Sequence, residues 1–153
     1  MFFTKFLARI SGASKKPAAI PGFGPSATLT VRVTRDDVHP GDPAEPRAFL
    51  VPADIRPEDL LREIADRGWL PRLYESVVVW SVWSNEPLAV VEHDCRSDRG
   101  HVTLLPLPDL DRRMRAADRV DDEIRLRFRY HPYLDTQTAF ARLSSGSRLE
   151  GSE

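Results

Sequence analysis

The 153-residue chain has little that is commonly used for covalent or metal-based chemistry. Cys95 is its only cysteine, which excludes an intrachain disulfide and a four-cysteine zinc site. No apolar run approaches the ~20 residues of a membrane-spanning helix. There is no glycine-rich phosphate loop followed by a helix, and no Gly-x-Ser-x-Gly nucleophile elbow. The sequence thus lacks a strong catalytic motif, and we expect no cofactor.

Lysine is also scarce, and its positions divide the chain. Of the 22 basic residues only three are lysines, namely Lys5, Lys15 and Lys16. The first 28 residues carry four basic groups and no acidic one, whereas the remainder carries 18 basic and 23 acidic groups, a net charge of −5. This balance argues against a nucleic-acid binder by bulk charge. The preference for arginine is typical of a GC-rich genome.

Residues 1–26 are predicted to precede the folded domain as a basic leader and linker. The leader, residues 1–10, places apolar side chains at helical spacing between basic ones, including Phe2, Phe3, Phe6 and Leu7. Such an amphipathic helix could lie on a membrane or in a groove of a partner protein. A disordered start is the equal alternative, because ten residues do not hold a helix alone in water. Residues 11–26 are rich in proline and glycine, which is typical of a linker.

The folded domain is predicted over residues 27–134. Residues 28–34 and 123–131 alternate apolar and polar side chains, the pattern of half-buried strands. The clearest helix begins at Pro57 and is expected to end near Gly68, with Trp69 packing back on its last turn. Further strands are predicted over 47–51, 76–83, 88–93 and 101–105, and a short helix over 108–117. Residues 135–153 are polar and small, which predicts a flexible C-terminal tail.

This order of elements resembles a ubiquitin-like β-grasp domain over about residues 27–131. The similar stretches are TLTVRVT with FLVP, ADIRPEDLLREIADRGWLP, VVWSVWSNEPLAV and RLRFRY. The resemblance implies an α+β fold, a mixed sheet of about five strands covered by one main helix, with the closing strand parallel to and beside the first. The terminal Gly-Gly of ubiquitin-like modifiers is absent, so the resemblance implies a binding module rather than conjugation.

The first candidate site is the polar face of the closing strand. Arginines at alternate positions share one face of that strand, and a further arginine of the first strand would lie beside them. The two tryptophans of the third strand are an odd number of residues apart, so only one of them can share this face. The predicted interface residues are Arg32, Trp80, Trp83, Arg125, Arg127 and Arg129. Arginine and tryptophan are favoured anchors of protein contacts, and on a sheet they also bind RNA.

A second candidate site combines His93, Cys95 and His101. His93 and Cys95 share a face of a strand, and a turn over 94–100 could return His101 to them. Two imidazoles and a thiolate could hold zinc, or a Cys–His pair could act as a nucleophile. The favoured alternative is a polar turn with scattered titratable groups, because spacing alone fixes no geometry. His39 and His131 are expected to be solvated.

The sequence therefore predicts a non-catalytic protein–protein interaction module. We expect a cytoplasmic adaptor or assembly component of a bacterial system, with immunity and secretion as candidate settings. A small metal- or cysteine-dependent enzyme using His93, Cys95 and His101 is one alternative, and an RNA-binding module using the arginine-rich strand is another. Peripheral membrane contact through residues 1–10 also stays open.

Overall fold

The computed structural model describes residues 27–42, 44–73, 77–96, 100–147 and 149. The predicted leader, with Phe2, Phe3, Phe6 and Leu7, lies outside the described residues. In chain order the elements are β1 (Thr28–Arg35), β2 (Arg47–Pro52), α1 (Pro57–Ala65), β3 (Val77–Trp83), β4 (Pro87–Asp94), β5 (His101–Pro106), α2 (Leu110–Arg115), β6 (Arg119–Val120), β7 (Glu123–His131) and α3 (Thr136–Ser144).

All of these strands belong to one mixed sheet that is strongly curled into a half-barrel. The strand order is β2-β1-β7-β3-β4-β5, and β6 pairs with β7 beside this path. The closing strand β7 pairs in parallel with β1, as expected, and the other pairs are antiparallel.

The predicted fold class, an α+β sheet of about five strands under one main helix, is wrong. The described chain forms a seven-stranded sheet with three short helices. The strand predicted over 101–105 forms as β5 and extends the sheet by pairing with β4. The two-residue β6, which pairs with β7, was not predicted. The helices also lie on both faces of the sheet rather than on one.

Helix α1 forms where its signals predict it. Pro57 occupies the first turn, where its missing N–H leaves no intrahelical bond unmade, and Arg56 offers no side-chain cap. Gly68 adopts a left-handed conformation, with φ of 70°, just beyond the helix. The chain then turns back, so that the indole Nε1 of Trp69 donates to the carbonyl oxygen of Ile64 at 3.0 Å. The helix start and the packing of Trp69 are thus confirmed.

The main hydrophobic core fills the concave space between the sheet and the helices α1 and α2. Trp80 and Phe128, from neighbouring strands, are its largest fully buried side chains. The ring of Trp69 meets that of Phe128 edge-on, with centroids 5.0 Å apart and an interplanar angle of 84°. Helix α1 contributes its buried residues to this core, namely Leu60, Leu61, Ile64 and Ala65.

A second core lies on the opposite, outer face, under α3. Its buried members are Val79, Val90, Leu107, Ala139, Leu143 and Leu149. Asp135 caps the helix, since its carboxylate accepts a hydrogen bond from the backbone N–H of Thr138 at 2.9 Å. Gly146, with φ of 76°, ends it. A capped and packed helix therefore occupies Thr136–Ser144, where a flexible tail was expected. Packing on the apolar sheet face stabilises this helix, which is too short to be stable alone.

None of the helices in the described ranges combines the length and the apolar character needed to cross a bilayer.

Candidate functional site

The half of the outer sheet face that α3 leaves uncovered carries the predicted row of arginines. Arg32 of β1 and Arg125 of β7 are direct partners in the parallel register, so their side chains share this face. Arg127 and Arg129 follow at alternate positions of β7. The side chains of Arg32, Arg125 and Arg127 are 47%, 49% and 58% exposed. We name the surface formed by these four residues the arginine face.

Three of its four guanidinium groups are paired with carboxylates. Arg32 Nε and Arg125 Nε lie 3.0 Å and 3.3 Å from the same Oε1 of Glu123. Arg127 Nη2 lies 2.8 Å from Oδ1 of Asp36. The hydrogen bond from Arg32 holds the pKa of the Glu123 carboxyl below its ordinary value. Exposed pairs of this kind add little stability, so their main effect is to hold the arginine side chains in place on the sheet.

Arg129 is different, because among the described residues it has no carboxylate partner. Its guanidinium lies over the indole ring of Trp83, 4.3 Å from the ring centroid. This cation–π contact fixes the side chain without neutralising its charge. Arg129 thus marks the most electropositive end of the arginine face.

The two tryptophans of β3 lie on opposite faces, as their spacing predicts. Trp80 is 0% exposed in the main core, and its indole N–H is buried without a hydrogen-bond partner among the described residues. Trp83 reaches the outer face and packs against the second core, whereas Tyr133 is 98% exposed and does not cover it. Trp80 therefore drops out of the predicted interface, because it has no surface to offer a partner.

Sequence reasoning missed a polar cluster beside Arg129. Ser81 is fully buried, and its Oγ lies 2.6 Å from Nε2 of His131 while accepting a hydrogen bond from Nε1 of Trp83 at 2.7 Å. The donor in the Ser81–His131 hydrogen bond is set by the imidazole tautomer, since the hydroxyl has both a proton to donate and a second lone pair. Burial lowers the pKa of His131, the charge of Arg129 acts in the same direction, and Asp36 opposes them.

The prediction that His131 is solvated is therefore wrong. The register of β3 against β7 brings Ser81 and His131 together, and no local sequence pattern contains that register. Because Ser81 has no exposed surface, this serine–histidine pair is a structural contact and not a nucleophile open to a substrate.

The metal- or nucleophile-like set of His93, Cys95 and His101 is not assembled. The β4–β5 register pairs Asp94 with His101 and His93 with Val102, so the two imidazoles lie on opposite faces of the sheet. Within the described ranges no group of three or more potential ligands is placed to hold a metal ion. Cys95 packs against the main core, and its thiol donates a hydrogen bond to the carbonyl oxygen of His93, with an S···O distance of 3.8 Å.

His93 is instead a buried residue that Gly100 approaches closely. It is 5% exposed, and its Nδ1 is buried without a hydrogen-bond partner among the described residues. Gly100 approaches so closely that a Cβ atom there would lie 2.9 Å from Nε2. Burial is the main cause that lowers the pKa of His93, aided by the charge of Arg72 and opposed by that of Asp94.

Comparison of the chain with protein-family models, with curated proteins and with solved structures finds no match in any of the three.

Proposed function

We propose that the chain is a non-catalytic protein-interaction module, an adaptor or assembly component, and that the arginine face is its docking surface. The observation that carries the proposal is the unequal cover of the outer sheet face. Helix α3 packs on the β3–β5 half, whereas the β1–β7 half presents four arginines at alternating positions.

Charge supports an acidic partner. The arginine face holds four guanidinium groups against the carboxylates of Glu123 and Asp36, while the chain beyond residue 28 has a net charge of −5. A positive patch on a negative body orients an approaching acidic surface and disfavours basic ones. The same balance disfavours RNA, which would meet repulsion from the rest of the molecule.

The face also offers an apolar contact at its edge. Leu50 of β2 is 48% exposed and lies opposite Thr30 of β1, on the same side of the sheet as Arg32. Arginine groups beside an exposed aliphatic side chain are typical of protein interfaces. Because Glu123 and Asp36 already hold three of the arginines in position, less side-chain freedom is lost when a partner carboxylate binds.

The test uses the full chain as bait and compares two double variants of equal charge change. Arg125→Gln/Arg127→Gln removes two charges from the arginine face, and Arg47→Gln/Arg142→Gln removes two exposed charges elsewhere. Proteins retained by the wild type are identified by quantitative mass spectrometry from a nuclease-treated lysate of the source cells. The partner is then purified, and its affinity for each variant is measured by isothermal titration calorimetry.

We expect the partner to be acidic and the face variant to bind it at least tenfold more weakly, because each charge-assisted bond contributes about 1.5–3 kcal/mol. The control variant should bind within about twofold of the wild type. Equal binding by both double variants would refute the arginine face as the docking surface. If a parallel capture from untreated lysate retains proteins that nuclease treatment removes, the docking surface binds RNA and not a protein.

A further inference from the structure

A cleft of about 650 Å³ lies between α2, the β3–β4 turn and the segment that follows α3. Its polar and aromatic lining consists of Trp83, Glu86, Arg112, Arg113, Arg129 and His131. Leu143 and Leu149, both members of the second core, provide apolar wall. Concave sites of this size accept small molecules. We name it the cationic cleft.

The positive groups of the cationic cleft outnumber its negative ones. Glu86 forms a bidentate salt bridge with Arg112, with Nη1–Oε1 and Nη2–Oε2 distances of 3.2 Å and 3.0 Å. Arg113 reaches the same carboxylate only at 3.9 Å. Among the lining residues that the structure describes, three guanidinium groups against one carboxylate leave a net charge of +2 while His131 is neutral.

Arg113 is held in place by two backbone carbonyl oxygens and keeps further N–H donors free for a ligand. Its side chain is 13% exposed, and its Nε and Nη1 donate to the carbonyl oxygens of Pro108 and Pro87 at 2.9 Å and 3.0 Å. A guanidinium has five N–H donors, so most of its capacity is unused among the described residues. Arg113 is half-buried, and its remaining N–H groups are not among the buried unpartnered atoms, so they are accessible to solvent or to an anion in the cleft.

The opposite wall supplies a second fixed cation. Arg129 is held over Trp83 at 4.3 Å without charge neutralisation. His131 lines the same wall, with its Nε2 engaged by Ser81. Because Arg129 comes from β7 and Arg113 comes from α2, an anion between them would meet positive charge from two sides without reorganising the site.

The end of α3 that borders the cleft does not compete for these cations. The carbonyl oxygens of Arg142 and Leu143 accept hydrogen bonds from the backbone N–H groups of Ser147 and Gly146, at 2.9 Å and 3.3 Å. The helix carbonyls are thus satisfied within the C-terminal cap.

We propose that the cationic cleft binds a small molecule that carries a phosphate group or several carboxylates. Arginine can donate bidentate hydrogen bonds to a phosphate or to a carboxylate, and the apolar wall can contact a short hydrocarbon part of the ligand. The proposal does not depend on the partner of the arginine face. Arg129 belongs to both surfaces, but the variants that test the arginine face leave the cationic cleft unchanged.

The test titrates the full ¹⁵N-labelled chain with inorganic phosphate, pyrophosphate and citrate at constant ionic strength. The chain has three tryptophans, so three indole N–H signals report on three places in the fold. The signal of Trp83 should shift and saturate, whereas that of the buried Trp80 should stay in place. Calorimetry then gives the affinity for the wild type and for Arg129→Gln, Arg112→Gln and the control Arg115→Gln, an exposed position of α2 outside the cleft.

We expect Arg129→Gln and Arg112→Gln to bind about tenfold more weakly and Arg115→Gln to bind like the wild type. Saturation with pyrophosphate or phosphate alone assigns a phosphorylated ligand, and saturation with citrate alone assigns a polycarboxylate. Absence of a saturable Trp83 shift with all three probes overturns the proposal. So does equal weakening in the three variants, which would indicate unspecific attraction. The wild-type titration decides the question even if a variant does not fold.

Discussion

Replacing Leu143 with alanine tests whether α3 stabilises the fold. Leu143 is 1% exposed and packs in the second core with Val79 and Val90. The change removes about three carbon atoms from the core, a loss of roughly 0.8 kcal/mol each. The cavity left behind adds to this loss, although a site near the chain end can partly collapse. We therefore expect the free energy of unfolding to fall by about 3 kcal/mol.

The assay is urea unfolding followed by circular dichroism and tryptophan fluorescence. Because Trp83 lies beside the second core, fluorescence reports local loosening while circular dichroism reports the whole sheet. The matched control is Gln137→Ala, an exposed position on the same helix, which should stay within about 0.5 kcal/mol of the wild type.

A result within about 0.5 kcal/mol for Leu143→Ala would refute the reasoning. It would mean that α3 does not pack on the sheet in solution and that the segment is the flexible tail suggested by its composition. The wall of the cationic cleft formed by Leu143 would then be lost as well.

Two further outcomes concern the turn around His93 and the pH response. Burial keeps the pKa values of His93 and His131 below their ordinary value near 6.5, so below that pH the unfolded chain binds more protons than the folded one. The stability that these two neutral histidines contribute is thus fully present above about pH 7 and falls towards pH 5. In urea titrations, the free energy of unfolding of His93→Gln and His131→Gln should fall less steeply with decreasing pH than that of the wild type. An unchanged slope would contradict this expectation. Gly100→Ala should destabilise more than Gly68→Ala, because both positions have positive φ (61° and 70°) but only at Gly100 would a Cβ meet the imidazole, at 2.9 Å. The left-handed conformation alone accounts for about 1–2 kcal/mol, and equal losses in thermal unfolding would show that His93 yields without penalty.

Local patterns were sufficient for most elements of the sheet. Strict alternation predicted β7 at its observed bounds, Glu123–His131, and the proline and glycine signals placed α1. Helix α3 was missed because only Thr136, Ala139 and Leu143 are buried along it, too few for a clear periodic stripe. Its packing surface is formed by strands that are distant in sequence, so the signal lies outside the segment itself.

In the candidate sites, too, the features with a local sequence pattern were predicted, and those that depend on contacts between distant segments were missed. The arginine face follows from alternation along β7, and Arg32 joins it once β1 and β7 pair in parallel. The separation of His93 from His101 depends on the β4–β5 register, in which a slip of one residue exchanges the faces. The cationic cleft depends on where α2 docks, and no local pattern determines that position.

The pairing of β1 with β7 has a consequence for the order of assembly. Arg32 and Glu123, joined across this pair, are 91 residues apart in the chain. The β1–β2 hairpin and the β3–β4–β5 meander can each form from neighbouring segments, but they are joined only through β7, which pairs with β1 on one side and β3 on the other. Such distant contacts close slowly. Until β7 has been synthesised, the edges of β1 and β3 that it pairs with are unpaired. Unpaired strand edges are the part of the molecule most exposed to pairing with other chains.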